Sequence, residues 1–235
     1  MMDKVFSKIP VILLTILGFF SSGGSGIAAA GLPEDDSIEV QILYNGRAWR
    51  NLYTSIRGDQ FLFSDKFLSG SVRTGGLFFS NQMLKYDIYN DEILLVTSKK
   101  IVLQLNKENV DSFNLEYGGK TYNFRRLDAD SLNSLSGYVR VLYGGNTSLL
   151  VKYSKEILSL AVENKYDLFS QVERIYLVRE GKLYRLKGKG DLLSLLNDRK
   201  QQVHSFIRSN NIRISRKDPE SFIPVLEYYD GLDKN

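Results

Sequence analysis

Three carboxylates stand close together in the run Tyr86-Asp87-Ile88-Tyr89-Asn90-Asp91-Glu92. Two carboxyl groups held at a fixed separation can hydrolyse a glycoside, one as acid and the other as base or nucleophile. Asp87, paired with Asp91 or with Glu92, is therefore the enzymatic candidate of this chain. The same oxygens form the best local calcium cluster, with Asp128 and Asp130 next, although neither group has the loop pattern of an EF-hand. The competing role is structural. Asn90-Asp91 fits a hairpin turn, which leaves Asp87 on a flanking strand facing water.

Other chemistries lack parts. His204 is the only histidine. A serine triad needs it as the base, but its helical neighbours are Asn197, Lys200, Gln201 and Arg208, a solvated face. No Gly-x-Ser-x-Gly elbow follows Ala30 to supply a nucleophile. One histidine and no cysteine leave no zinc ligand set, no thiol and no disulfide. Gly75-Gly76 and Gly118-Gly119 are not followed by the Lys-Ser/Thr of a phosphate loop and read as turns. The sequence thus nominates no metal centre and no cofactor. Most of the 14 Tyr and 13 Phe fall at alternating strand positions and read as core. Trp49, between Arg47 and Arg50, is the aromatic that stands apart as a candidate sugar contact.

Charge gives a second candidate. The chain is only +4 overall, too little to imply a nucleic-acid partner. Yet Gly181 to Lys217 holds ten basic residues against Asp191 and Asp198, a net of +8, so the remainder is net negative. If Arg199, Lys200, Arg208, Arg213, Arg216 and Lys217 share one face, they make a surface for anionic lipid, lipopolysaccharide or acidic polysaccharide.

These residues need elements to hold them. From residue 37 to about 186 the hydrophobic period is two, as in Ile38-Val40-Ile42-Tyr44, Leu84-Tyr86-Ile88, Ile101-Leu103-Leu105, Phe113-Leu115-Tyr117 and Val139-Val141. Alternation puts one set of side chains in a core and the other in water. Asn45-Gly46, Asn90-Asp91, Gly118-Gly119, Gly144-Gly145 and Glu180-Gly181 separate these runs as tight turns. Tight turns join antiparallel neighbours. After Gly190 the period becomes helical. Asp191 is the expected N-cap, and Leu192, Leu195, Leu196, Val203, Phe206 and Ile207 form one stripe with a gap at Arg199. A second helix is expected from about Ser221, with Pro224 in its first turn and Gly231 as its stop. Ser154 to Glu163 fits a helix or a strand pair. The expected fold is α+β. An antiparallel twisted sheet or partly closed barrel over residues 37–186 is covered by two C-terminal helices, in one domain of residues 37–235.

The N-terminus reads as an export signal. Lys4 and Lys8 precede the apolar run Ile9 to Phe20, and a small-residue stretch ends in Ala28-Ala29-Ala30. The apolar run is shorter than the ~20 residues a spanning helix needs. The expected cut follows Ala30, with a polar leader over residues 31–36. A lipid-modified end would need a cysteine after the cut, and the chain has none.

Four segments together resemble uncharacterised exported β-rich proteins of Bacteroidetes-type Gram-negative bacteria. They are Leu84-Lys85-Tyr86-Asp87 running to Asp91, Gly137-Tyr138 leading to Val141-Leu142-Tyr143-Gly144, Asp191-Leu192-Leu193, and Tyr228-Tyr229-Asp230. The resemblance implies a place in the envelope, periplasmic or at the cell surface, and no particular reaction. The expected function is a non-catalytic binding or structural module of that envelope. The alternative is a carboxylate-dependent hydrolase of an envelope or extracellular polysaccharide.

Overall fold

The computed structural model describes residues 38–128, 135–159 and 166–232. The expected signal peptide and leader, Asp130 and most of 159–163 lie outside the described residues. Eleven strands follow a short helix α1 (Ile38–Leu43): β1 (Gly46–Ala48), β2 (Leu68–Thr74), β3 (Leu77–Asp87), β4 (Glu92–Val96), β5 (Val102–Leu105), β6 (Val110–Tyr117), β7 (Lys120–Leu127), β8 (Gly137–Gly144), β9 (Thr147–Leu158), β10 (Leu168–Arg179) and β11 (Lys182–Leu186). They form one antiparallel sheet in the order β1-β5-β4-β3-β2-β6-β7-β8-β9-β10-β11. The sheet is not closed, and β1 and β11 are its edges. It curls nonetheless. The Lys155 N–H in β9 donates to the Ile88 carbonyl just past β3 at 3.2 Å, although the two strands are five places apart in the sheet.

Turn chemistry explains the hairpins. Gly118-Gly119 closes β6–β7 and Glu180-Gly181 closes β10–β11, all four residues at positive φ, the backbone that two-residue hairpin loops require. Asp91 reaches the same region, φ 60°, between β3 and β4. Ser154 to Leu158 resolves as strand, continuing β9.

Two expectations fail at the start of the described chain. Ile38 to Leu43 is helical, not a strand. Val40 and Leu43, three apart, are both buried against the core, so the short run satisfies a helical period as well as an alternating one, and tertiary contact decides. Asn45-Gly46 consequently joins α1 to β1 rather than forming a hairpin. Gly46 is needed there for another reason: a Cβ would stand 2.2 Å from the Gln104 carbonyl oxygen.

The C-terminal segment packs on the sheet. It comprises α2 (Lys189–Leu195), a 3-10 turn (Asn197–Arg199), α3 (Lys200–Ser209), a second 3-10 turn (Pro219–Phe222) and α4 (Ile223–Leu232). The single long helix expected from Asp191 is broken where its stripe had a gap. Leu196, Asn197, Asp198 and Arg199 lie between the two halves. Asp191 is not the N-cap. It sits third in α2, and its carboxylate reaches back to accept the Lys187 N–H at 2.6 Å. Gly231 does not stop α4, which runs on to Leu232. Leu192, Leu196, Val203, Phe222, Val225 and Leu226 are fully buried and share one core with Leu149, Val151, Ile175 and Leu177 of the sheet. Phe206 is only half-buried and stacks on Tyr228 with centroids 4.0 Å apart.

Candidate functional site

The β3–β4 turn brings Asp87, Asp91 and Glu92 near one another but turns the two aspartates to internal partners. Asp87 does not face water. It is fully buried and accepts the backbone N–H groups of Tyr89 and Asn90 and the Asn90 side-chain amide at 2.9–3.0 Å. A short acceptor two residues before a turn ties the turn to itself. Burial raises the Asp87 carboxyl above its usual range, and the bonds from Asn90, Tyr89 and Gln60 partly offset that.

Asp91 is the centre of a charged cluster. It accepts from Lys107 Nζ at 2.6 Å, Lys152 Nζ at 2.8 Å and the Tyr86 hydroxyl at 2.5 Å. Burial alone would raise its carboxyl. The Lys152 charge and the bonds from Lys107, Lys152 and Tyr86 outweigh burial and hold it below the usual carboxylate range. Lys152 pays for its position: burial lowers its ammonium despite Asp91 beside it. Burial and the Asp91 charge push the Tyr86 phenol well up. Glu92, opposite Asp87 in the β3–β4 register, is raised by burial and by the Asp87 charge, with Arg47 and Lys107 pulling the other way. Chain passes closely over this cluster. Gly137 has φ +80°, and a Cβ there would lie 1.7 Å from Asp91 Oδ2. Among the described residues no group of three or more metal-type ligands converges.

The basic segment divides. Arg208 near the end of α3 and Arg213 beyond it line a cleft of about 430 Å³ with Lys189, His204, Ile207, Asn211 and Ile212. No carboxylate is among these lining residues. Arg199, Lys200, Arg216 and Lys217 are not among them. Lys200 and Lys217 are exposed, and the Arg216 charge acts on Glu173 of β10. His204, whose helical neighbours had marked a solvated face, is exposed and faces the same cleft.

A larger cleft, about 600 Å³, is lined by Arg47, Lys107, Arg126, Glu108 and Asp128 among others. Trp49 is half-buried with its ring 5.9 Å from that of Phe61. A third polar cluster ties the helical layer down. Arg140, 9% exposed, donates to Glu220 Oε1 at 2.7 Å and to the Tyr153 hydroxyl at 3.4 Å, and lies over the Tyr122 ring.

The sequence named Asp91 but not its cations, because Lys107 and Lys152 lie 16 and 61 residues away and only the sheet topology brings them in. Lys189 had a signal: it belongs to the same basic segment as Arg208 and Arg213. No family model, no curated protein and no solved structure matches the chain.

Proposed function

We propose that this is an exported, non-catalytic protein of a bacterial envelope that binds anionic groups through the cleft at α3. One observation carries the reading: Lys189, Arg208 and Arg213 line one concavity in which no carboxylate opposes them. Cations held on a concave wall attract anions more strongly than the same charges spread over a convex surface, because the low-dielectric walls focus the field. The export signal and the resemblance read from the sequence support the envelope as the place where such anions are met. The hydrolase alternative rested on Asp87 reaching a common substrate with Asp91 or with Glu92. Asp87 is fully buried and committed to the hydrogen bonds of its own turn, so both pairings lack a free member and the binding reading is the better supported.

The test is co-sedimentation with phosphatidylglycerol vesicles and with phosphatidylcholine vesicles at low and high salt, and with lipopolysaccharide. Binding to the anionic surface is expected, weakening as salt screens it. Each surface cation contributes about 1 kcal/mol to such binding. Replacing Arg208 and Arg213 by Ser therefore weakens it roughly 30-fold, whereas Lys200→Ser, outside the cleft, has a smaller effect. Equal binding to both vesicle types overturns the reading.

A further inference from the structure

The donors of the α3 cleft select more than negative charge, and we infer that it takes a phosphate monoester rather than a phosphodiester or a carboxylate. The inference rests on the anion-binding reading of the same cleft and names the group that the cleft holds.

The cations of the cleft are unspent. Among the described residues Lys189, Arg208 and Arg213 belong to none of the ion pairs, and all three are exposed. The carboxylates of the helical layer are engaged elsewhere. Asp198 pairs with Arg179 at 3.0 Å, Glu220 with Arg140 at 2.7 Å and with Lys120 at 3.2 Å, and Asp230 accepts from Thr147 and Tyr143. Asp218 and Glu227 are not among the lining residues. Asp191, two residues from Lys189 in α2, gives its carboxylate to the Lys187 N–H. Counting Asp191 against the three cations still leaves an excess of two positive charges.

Charge and donor geometry select the same ligand. Two guanidinium groups present two forks, and each fork matches a pair of oxygens. A carboxylate or a phosphodiester has one charge and two free oxygens, which a single fork uses up. A phosphate monoester carries about −1.5 to −2 charge at pH 7 and three acceptor oxygens. It neutralises the excess and leaves an oxygen for the second fork or for Lys189, which meets phosphate as a point charge. The Asn211 amide, also in the lining, adds an uncharged donor. At about 430 Å³ the cleft has room for the glycerol or sugar that carries the phosphate.

The test compares vesicles of phosphatidic acid, which display the monoester, with vesicles of phosphatidylglycerol, which display the diester. Both are diluted in phosphatidylcholine to the same zeta potential and assayed at the same salt. The protein is expected to bind the monoester surface about ten-fold tighter, the worth of one further charge-assisted hydrogen bond. The double variant Arg208→Lys, Arg213→Lys keeps both charges and removes both forks, at exposed positions where the fold is not at stake. It should bind the two surfaces alike. Isothermal titration with glycerol 3-phosphate separates the two sources of such a group. A soluble ester registers there without any preference between the vesicles, and a lipid headgroup registers in both assays. Equal binding to the two anionic surfaces, above phosphatidylcholine alone and with no heat from glycerol 3-phosphate, overturns the inference and leaves the anion-binding reading standing. A preference that survives in the lysine variant also overturns it. Binding to neither anionic surface above phosphatidylcholine alone overturns the anion-binding reading itself.

Discussion

Asp91 is the residue on which most of the charged chemistry of the sheet converges, and its value lies in what it neutralises. Lys152 is 15% and Asp91 19% exposed at the side chain. Removing one partner of such a pair leaves a charge with no counterpart, which costs about 3–5 kcal/mol. Asp91→Asn should therefore lower the unfolding free energy from urea titration by that amount at pH 7. The carboxyl is held below its unfolded value, so its stabilisation is present above that value and lost as pH falls through the folded one. The gap between wild type and Asp91→Asn should be constant from about pH 7 to 5 and close below about pH 4, where the unfolded carboxylate protonates. Asp87 has the opposite sign. Its carboxyl is raised, so its contribution is present at low pH and lost as pH rises through the folded value. Asp87→Asn, which strands no ammonium, should cost less than Asp91→Asn at pH 7. Gly137 tests the same cluster from the backbone side. Alanine at positive φ costs about 1–2 kcal/mol, and that is all Gly119→Ala should cost, since a Cβ there meets nothing. Gly137→Ala must also displace Asp91 from its lysines, so its loss in denaturant midpoint should be clearly larger.

The C-terminal helices are held by both apolar and polar contacts with the sheet. Leu196→Ala should cost about 2–5 kcal/mol, the usual range for a buried leucine, because Leu196 is fully buried in the common core. Phe206→Ala should cost less than the about 3–5 kcal/mol of a buried phenylalanine, since Phe206 is half-buried and leans on Tyr228. Thermal denaturation of the two variants checks the order. Asp230 of α4 adds a polar pin. It accepts the Thr147 N–H at 2.9 Å and the Tyr143 hydroxyl at 3.0 Å at the β8–β9 turn. At this scale the sequence was readable where local rules decide. Alternation, glycine turns and the leucine stripe fixed the class, the antiparallel pairing and the helical layer. It failed at Ile38 to Leu43, where six residues satisfy two periods and only the neighbouring core chooses. The site was half legible. Arg208 and Arg213 carried a charge signal within one segment, whereas the Asp91 cluster and the Tyr143–Asp230 contact join residues 16 to 87 positions apart. Three of the four segments that carry the resemblance supply those contacts: Tyr86 and Tyr138 meet at Asp91, and Tyr143 meets Asp230.

Across the whole molecule, charge and core are arranged differently. Charge is segregated along the sequence, with a net positive segment from Gly181 to Lys217 and the rest of the chain net negative. The main core spans both layers, beside a small second cluster of Leu127, Leu135, Val139 and Leu150. One cluster of buried side chains runs from Leu43 in α1 through Leu84, Tyr86 and Phe124 in the sheet to Leu196 and Tyr229 in the helices. With no cysteine, burial and hydrogen bonding alone join the parts. Chains beyond about 150 residues often unfold through intermediates, and a sheet with a helical layer offers an obvious one in which the helices leave first. The shared core argues against it. Stripping the helices away would expose Leu149, Val151 and Leu177 of the sheet, all of them fully buried. At about 25 cal/mol per Å² of apolar surface, that exposure costs several kcal/mol. Trp49, the only tryptophan, sits just past edge strand β1, while the helices report through far-UV circular dichroism at 222 nm. The two probes should give coincident urea transitions, the signature of all-or-none unfolding, and the curves should be the same with and without reductant. A loss of helical signal before the Trp49 fluorescence changes would show that the helical layer is a separate unit laid on a sheet that stands without it.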